Sequence, residues 1–232
     1  MRAITEETFA AVLFDNDGTL IDSSGAVVRS WTSWAQAHGV PLETLVGFHG
    51  VPSRGIVARV APHLDLDEAV ADIDRRELED LEGILALPGA REALAAVGER
   101  AAVVTSAGAD LAARRLAAAG VSPPAVLVTA DDIPRGRGKP DPLPYLTGAR
   151  RLGVDAGRCL VVEDAPAGLR SGRAAGAATL AVVTTGTPEE VAPEADLVVP
   201  DLSHVAFDLV PDGVRVRVLA AGGDSGQRPT VP

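Results

Sequence analysis

Short apolar runs alternate with helical patterns through most of the chain. A run at 10–14 is followed, after an interruption, by others at 101–105, 125–129, 159–163, 179–183 and 196–199. The stretches between them repeat apolar residues at helical spacing over 89–98, 109–119, 142–152 and 166–175. Apolar strands separated by helices are typical of a parallel sheet covered on both faces. The sequence therefore predicts an α/β fold with a doubly wound, mostly parallel, Rossmann-like sheet.

The interruption, residues 21–87, has a different pattern. Apolar residues recur at helical spacing from Val27 to His38, where Gly39-Val40-Pro41 ends the helix. Two further helices are predicted, over Ser53 to Ala61 and Leu66 to Glu82. Because this all-helical segment is inserted after the first strand, we expect it to form a small separate domain above the carboxyl end of that strand.

The α/β core is accordingly expected to comprise residues 1–20 and 88–210, which leaves residues 211–232 outside it. Within this last segment Val214 to Leu219 alternate in polarity, so they could form an edge strand. The final residues, Ala221 to Pro232, are rich in glycine and proline, and we expect them to be disordered.

Two aspartates follow the first strand at a spacing of two residues. Asp15 and Asp17 are followed at once by Gly18, which indicates a strand that ends in a tight turn. Carboxylates this close repel each other unless a cation or a shared proton intervenes, so the pair indicates a divalent metal or acid–base chemistry. A turn with capping aspartates is the simpler alternative. A calcium-binding EF-hand loop is excluded, because its glycine and glutamate positions hold Leu20 and Ala26.

Other polar residues also follow predicted strands. Thr105 and Ser106 come after the second strand, Glu163 and Asp164 after a later one, and Lys139 lies in a loop before a helix. The carboxyl ends of parallel strands share one edge of a sheet, where ligands bind. Lys139 is the only lysine among 21 basic residues, and a compact ammonium suits contact with a single phosphate or carboxylate oxygen. Each residue taken alone could instead be a helix cap or a solvated charge.

Composition narrows the function classes. The 232 residues are 47% hydrophobic, and the formal net charge of −11 argues against nucleic acid or an anionic membrane surface as a partner. The single cysteine, Cys159, excludes a disulfide framework, and its place in an apolar strand predicts a buried structural thiol. The sequence has neither an apolar run of membrane-spanning length nor a signal-peptide pattern, so we expect a soluble, cytoplasmic protein.

Over residues 10–205 the chain resembles the haloacid dehalogenase (HAD) superfamily, whose members carry four motifs in a fixed order. In this sequence they are Asp15-Asn16-Asp17-Gly18-Thr19, Thr105, Lys139-Pro140 and Glu163-Asp164. The strings at 138–142 and 161–168 are similar to the branch that dephosphorylates sugar and polyol phosphates. Phe48-His49-Gly50 and Ala61-Pro62 resemble the glycerol-phosphate and 2-deoxyglucose-6-phosphate phosphatases of that branch. The insertion corresponds to the family's helical cap.

The resemblance implies that a phosphate monoester is hydrolysed in two steps. Asp15 would attack phosphorus to give an aspartyl-phosphate, and Asp17 would protonate the leaving alkoxide and then accept a proton from water. The groups that hold the remaining phosphoryl oxygens would be Thr105, the Ser106 amide and Lys139. The implied cofactor is Mg²⁺, and its ligands would be Asp15, the Asp17 carbonyl oxygen and Asp164, with Glu163 nearby.

Other reactions remain open on the same fold. The β-phosphoglucomutases resemble the chain in all four motifs, but they are similar to DxDGV in the first and carry a histidine ten residues after its second aspartate. This chain has Thr19 and Val27 at those places, which favours water as the phosphoryl acceptor. Dehalogenases lack the second aspartate, a Rossmann-type nucleotide-binding module would need a glycine-rich turn, and a non-catalytic regulatory protein would have lost a motif residue. We therefore predict a Mg²⁺-dependent phosphatase for small sugar or polyol phosphates.

The cap is expected to select the substrate, because the four motifs hold only the phosphoryl group and the metal. His49 and Arg54 are the candidates for contacting the organic half of the substrate. The alternatives are that His49 caps the following helix and that Arg54 is a solvated charge. We expect the partner to be the small phosphorylated substrate, and the protein to be a monomer or a weak dimer.

Overall fold

The computed structural model describes residues 2–46 and 51–219. In chain order, the strands of this part are β1 (Ala11–Phe14), β2 (Ile21–Asp22), β3 (Leu85–Ala86), β4 (Ala101–Val104), β5 (Val126–Val128), β6 (Cys159–Glu163), β7 (Ala178–Val182), β8 (Leu197–Val199), β9 (Val205–Val210) and β10 (Gly213–Val218). Its α-helices are α1 (Ser24–His38), α2 (Ser53–Val60), α3 (Leu66–Glu79), α4 (Ala90–Val97), α5 (Ala109–Ala118), α6 (Leu143–Arg151), α7 (Pro166–Ala174) and α8 (Pro188–Val191).

Six strands form a parallel sheet in the order β5-β4-β1-β6-β7-β8. Every residue of β1, β4, β6 and β7 is buried. Successive side chains of β1 enter different cores: Val12 and Phe14 join a core that includes α4 and α5, whereas Leu13 joins a second core with Tyr145 of α6. The sheet is therefore covered by helices on both faces, which confirms the predicted α/β fold.

The direction of winding reverses at β1, which lies between β4 and β6. From β1 the chain continues to β4 and β5 on one side, and it then crosses to β6, β7 and β8 on the other. Such a reversal opens a crevice beside the carboxyl ends of the neighbouring strands. Asp15 directly follows β1 and Glu163 ends β6, so both residues lie at this crevice.

Helices α1, α2 and α3 pack around an apolar core of their own, whose fully buried members include Trp34, Val57 and Ile73. The chain enters and leaves this helical cap through β2 and β3, which pair antiparallel. Helix α3 ends at Glu79 rather than at the predicted Glu82. At Asp80 the backbone is extended, and the carboxylate accepts two hydrogen bonds of 2.7 Å from Arg29 of α1.

The possible edge strand at Val214 to Leu219 is present as β10. It pairs antiparallel with β9, a strand that the sequence analysis missed, and these two strands form a sheet separate from the six-stranded one. Phe207 of β9 contacts Phe14 of β1 edge to face, with ring centroids 5.8 Å apart, so the hairpin covers a face of the main sheet. The predicted disordered tail, Ala221 to Pro232, lies outside the described residues.

Two findings bear on the expectations from composition. Cys159 is fully buried in β6, and burial raises the pKa of its thiol to about 12, as expected of a structural rather than a reactive cysteine. Among the helices of residues 2–46 and 51–219, none combines the length and the apolar character needed to cross a membrane.

Candidate active site

Lys139 connects carboxylates at the carboxyl ends of two central strands, β1 and β6. Its Nζ donates hydrogen bonds to Asp15 Oδ1 at 2.6 Å, to Glu163 Oε1 at 2.7 Å and to the Val104 carbonyl oxygen at 2.9 Å. Lys139, Asp15, Glu163 and Asp164 are all at most 6% exposed. Asp15 thus forms one buried ionic cluster, at the carboxyl end of β1, with three residues that lie more than a hundred positions later in the sequence.

This cluster contains more negative than positive charge. One carboxylate oxygen from each of Asp15, Glu163 and Asp164 lies within 4.8 Å of the others, and Lys139 is the one cationic side chain of the described residues that pairs with them. Burial, and then the charge of Glu163, raise the pKa of Asp15 well above its usual range and that of Asp164 to about 7. Three buried carboxylates with one ammonium fit a divalent cation, and an all-oxygen donor set is the kind that Mg²⁺ prefers.

The charge imbalance predicts a distinctive pH dependence of stability when no divalent cation is bound. Because the pKa of Asp164 is about 7 in the folded chain and about 4 when unfolded, the folded state binds more protons in that interval. The free energy of unfolding should therefore fall as pH rises from 4 to 7. We expect the protein in EDTA to be roughly 1 kcal/mol more stable at pH 6 than at pH 8, as measured by urea unfolding.

The matched control for this measurement is Asp164→Asn, which should lose most of the difference between pH 6 and pH 8. Saturating Mg²⁺ should also reduce the difference, because a bound cation favours the ionised carboxylates. An equal pH dependence in Asp164→Asn and in the unchanged protein would assign the effect to other groups.

Glu163 is held in place by several donors. In addition to Lys139, the Tyr145 hydroxyl donates to its Oε1 at 2.9 Å, and the Asp164 and Ala165 amides donate to its Oε2 at 3.1 and 3.2 Å. A Cβ on Gly168 would lie 1.6 Å from Oε1, so this position of α7 leaves room only for glycine. Glu163 is therefore a rigid counter-charge for Lys139.

Two contributors to the cluster were missed from the sequence. Tyr145, the only tyrosine, lies with its ring centroid 5.1 Å from Lys139 Nζ. Thr185, shortly after β7, donates a hydrogen bond to Asp164 Oδ2. Thr185 could have been predicted as a site residue, because it is a polar residue just beyond a predicted strand. Tyr145 lies on a helix, and nothing in the sequence indicates that it contacts the cluster.

Thr105 and Ser106 lie where β4 ends. Thr105 is 4% exposed, and its Oγ1 accepts a hydrogen bond from the Ala107 amide at 3.1 Å. It directly follows Val104, whose carbonyl oxygen binds Lys139, so Thr105 adjoins the ionic cluster. Ser106 is half-buried. The predicted contacts of both residues with a phosphoryl group remain predictions.

Asp17 lies apart from the three clustered carboxylates. Its Oδ1 accepts hydrogen bonds from Ser23 Oγ at 2.7 Å and from Arg115 Nη1 at 2.9 Å, and its Oδ2 accepts one from Asn16 Nδ2 at 3.2 Å. Its side chain is 25% exposed, whereas that of Arg115 is 4% exposed. Arg115 was also missed from the sequence, because nothing distinguishes it from the adjacent Arg114 until the packing of α5 is known.

The position between Asp17 and Thr19 requires glycine for two reasons: its backbone has positive φ, and a neighbouring side chain leaves no room for a Cβ. Gly18 has φ of +87°, and a Cβ there would lie 2.3 Å from Asp164 Oδ2. We expect Gly18→Ala to displace Asp164, to cost more than the roughly 1–2 kcal/mol of the backbone strain alone, and to weaken Mg²⁺ binding. Urea unfolding and isothermal titration with Mg²⁺ would measure the two effects.

Gly39→Ala is the matched control, because Gly39 also has positive φ, at +64°, but a Cβ there would meet nothing within 4 Å. It should show the backbone cost with Mg²⁺ affinity unchanged. Equal effects of the two substitutions would contradict the close approach of Gly18 to Asp164.

Of the two cap residues predicted to contact the substrate, Arg54 and His49, the structure describes only Arg54. Arg54 Nη1 forms an ion pair of 2.6 Å with Asp67 Oδ1 of α3, and Arg135, in the loop before α6, lies 3.9 Å from the same oxygen. Arg54 therefore lies on the part of the cap that approaches the core. His49, together with the Phe48-His49-Gly50 string, falls outside the described residues.

Comparison with known proteins identifies the class to which this fold and site belong. The family model for haloacid dehalogenase-like hydrolases matches residues 9–176. Hexitol phosphatase A of Escherichia coli (strain K12) is 40% identical over 209 residues, which cover 87% of this chain and 95% of that protein. Glycerol-1-phosphate phosphohydrolase 2 of Saccharomyces cerevisiae is 30% identical, with 75% of each chain covered. The crystal structure of a hydrolase from Pseudomonas syringae has a TM-score of 0.75 at 26% identity and covers 84% of this chain and 94% of its own.

The chain belongs to the haloacid dehalogenase-like hydrolase family. This confirms the resemblance found in the four motifs and the predicted class of enzyme, an HAD-type phosphoric monoester hydrolase.

Proposed function

We propose that the protein is a Mg²⁺-dependent phosphatase that hydrolyses small sugar or polyol phosphates through an aspartyl-phosphate. The observation that carries this proposal is the buried cluster in which Lys139 joins Asp15 to Glu163 beside Asp164. The names of the relatives support the substrate class, since they include a hexitol phosphatase, a glycerol-1-phosphate phosphohydrolase and 2-deoxyglucose-6-phosphate phosphatases.

In the first step a carboxylate oxygen of Asp15 attacks phosphorus. An acyl-phosphate bond forms and the ester P–O bond breaks, and Asp17 gives its proton to the departing alkoxide. In the second step water attacks the phosphoryl group, Asp17 takes a proton from that water, and inorganic phosphate leaves while the Asp15 carboxylate is regenerated. Lys139, which binds Asp15, would contact an oxygen of the phosphoryl group that Asp15 receives.

A second set of residues would hold the charge of the phosphoryl group. Thr105 and the Ser106 amide, at the end of β4, would bind phosphoryl oxygens. Mg²⁺ would be held by Asp15, Asp164 and the Asp17 carbonyl oxygen, and it would lower the repulsion between an anionic nucleophile and an anionic phosphate. Glu163 would act mainly by keeping Lys139 in position, because its oxygens already accept four hydrogen bonds.

The first experiment is phosphate release from glycerol, hexitol and hexose phosphates, with and without EDTA. The proposal predicts release that requires Mg²⁺ and is fastest for small polyol or sugar esters. β-Glucose-1-phosphate should be followed in parallel for glucose-6-phosphate. Isomerisation without phosphate release would instead identify a phosphomutase, and the absence of both activities in folded, Mg²⁺-loaded protein would favour a regulatory role.

The cap is proposed to choose among these substrates, with Arg54 and His49 contacting the organic half. Arg54→Ala should change the ranking of kcat/KM values across the panel, because it removes a cation from the part of the cap that approaches the core. Arg75→Ala is the control, because in the described part of the chain the ion pairs of Arg75 are with Asp72 and Glu79 of its own helix. Unchanged ratios of kcat/KM in Arg54→Ala would exclude Arg54 from the specificity site.

A further inference from the structure

One buried guanidinium joins the core to the cap. Arg115, on α5 of the core, donates from Nη1 to Asp17 Oδ1 at 2.9 Å and from Nη2 to Glu77 Oε1 at 3.1 Å. Glu77 belongs to α3 of the cap and is 8% exposed, and Arg115 is 4% exposed. Arg115 and Glu77 are thus largely shielded from water, whereas the Asp17 side chain is 25% exposed, so removal of either acid would leave the buried guanidinium with an uncompensated charge.

The surroundings of Asp17 are not fully satisfied. Two buried side-chain atoms in the described residues lack a hydrogen-bond partner, namely Arg115 Nε and Asn16 Oδ1. Both belong to residues that donate hydrogen bonds to the Asp17 carboxylate. Unpartnered buried polar atoms are costly and rare in native proteins, so each one calls for an explanation, and a functional site is one such explanation.

The two oxygens of Asp17 are held unequally. Oδ1 accepts two short hydrogen bonds, from Ser23 and Arg115, whereas Oδ2 accepts one of 3.2 Å from Asn16. When one oxygen of a carboxylate is fixed, the other oxygen points in a defined direction. A carboxyl group that transfers a proton to a particular atom needs such a fixed direction.

We propose that Arg115 is the positioning residue for Asp17, and that Glu77 makes this positioning depend on the seating of the cap. Arg115 and Ser23 anchor Oδ1, which leaves Oδ2 to exchange the proton with the leaving group and with water. Glu77 holds the far side of the same guanidinium, so a displaced cap frees Arg115 to reorient and Asp17 to turn with it. This inference rests on the proposed function, in which Asp17 carries the proton.

The choice of leaving group separates positioning of Asp17 from general damage. A polyol alkoxide needs a proton in order to leave, whereas nitrophenolate leaves without one. Arg115→Met should therefore lower the single-turnover rate of phosphoryl transfer from glycerol phosphate by about 10²-fold, with much less effect on nitrophenolate release from p-nitrophenyl phosphate. The loss should appear in kcat more than in KM, because the ground-state contacts with substrate are unchanged.

Three further variants keep the test decisive if Arg115→Met is unstable. Arg115→Lys should recover only part of the rate, since a single ammonium cannot reproduce the planar fork that holds two carboxylates. Ser23→Ala removes the other anchor of Oδ1 and should show the same preference for nitrophenyl ester in milder form. Arg114→Met, an exposed neighbour on α5, is the matched control and should leave both rates unchanged.

The role of the cap is tested by a double-mutant cycle. Glu77→Gln keeps the shape of the side chain but removes its charge, and it should lower the glycerol phosphate rate by a smaller factor than Arg115→Met. If Glu77 acts only through Arg115, Glu77→Gln should have no further effect on that rate in the Arg115→Met background.

The outcomes distinguish this inference from the proposed function. If the unchanged protein hydrolyses neither ester, the proposed function fails. If it hydrolyses both, and Arg115→Met lowers the two single-turnover rates equally or not at all, then Arg115 does not position Asp17. Fully additive effects of Glu77→Gln and Arg115→Met would overturn the part assigned to the cap.

Discussion

Asp15→Asn is expected to reduce turnover of every substrate by about 10⁴-fold or more, the scale seen when a catalytic nucleophile is removed. The amide is nearly isosteric with the carboxylate, but its oxygen is a far weaker nucleophile, so the acyl-phosphate bond cannot form. The measurement is steady-state phosphate release, together with the intact mass of the protein after brief exposure to substrate. The mass should show no phosphoryl adduct.

Asp22→Asn provides the control for this result. Asp22 is an exposed aspartate in β2, where its carboxylate binds the Ser24 amide, and its replacement should leave turnover close to that of the unchanged protein. Substantial turnover by well-folded Asp15→Asn would show that another residue attacks phosphorus, and the proposed intermediate would have to be abandoned.

Lys139→Met is expected to impair both folding and catalysis. Burial lowers the pKa of Lys139, but Asp15 and Glu163 raise it more, so its net pKa lies above the usual value and the side chain remains charged in the cluster. Without this charge, no cationic side chain of residues 2–46 and 51–219 forms an ion pair with Asp15, Glu163 or Asp164. Removing one partner of a buried ion pair typically costs about 3–5 kcal/mol, and we expect a loss in free energy of unfolding of this order.

Urea unfolding in EDTA at pH 8 would measure the loss. The destabilisation should be smaller at pH 6, where Asp164, with a pKa of about 7, takes up a proton, and smaller again in saturating Mg²⁺. Arg137→Met is the control, because Arg137 lies two residues away in an exposed ion pair with Asp141 and should contribute at most about 1 kcal/mol. Equal stability of the two variants would contradict the charge balance described for the cluster.

The elements of the fold were largely predictable from local pattern. The strands at 101–105, 125–129, 159–163, 179–183 and 196–199 were each predicted to within two residues of their observed ends, since apolar runs separated by helices have few other solutions. The partner of β10 was missed although Pro211-Asp212 separates β9 and β10 as a two-residue loop. The sequence pattern predicted a possible edge strand at Val214 to Leu219 and no strand at Val205 to Val210.

The sequence by itself determined the α/β alternation, the helical insertion and the order of the motif residues, because periodicity and turn chemistry act over neighbouring positions. Only the tertiary structure decided which side chains meet. Asp17 and Arg115 are 98 positions apart, and Arg115 and Glu77 are 38 apart. Their contact depends on how α3 and α5 pack across the junction of cap and core, and the local pattern of α5 says which of its faces is buried but not which charges lie opposite that face.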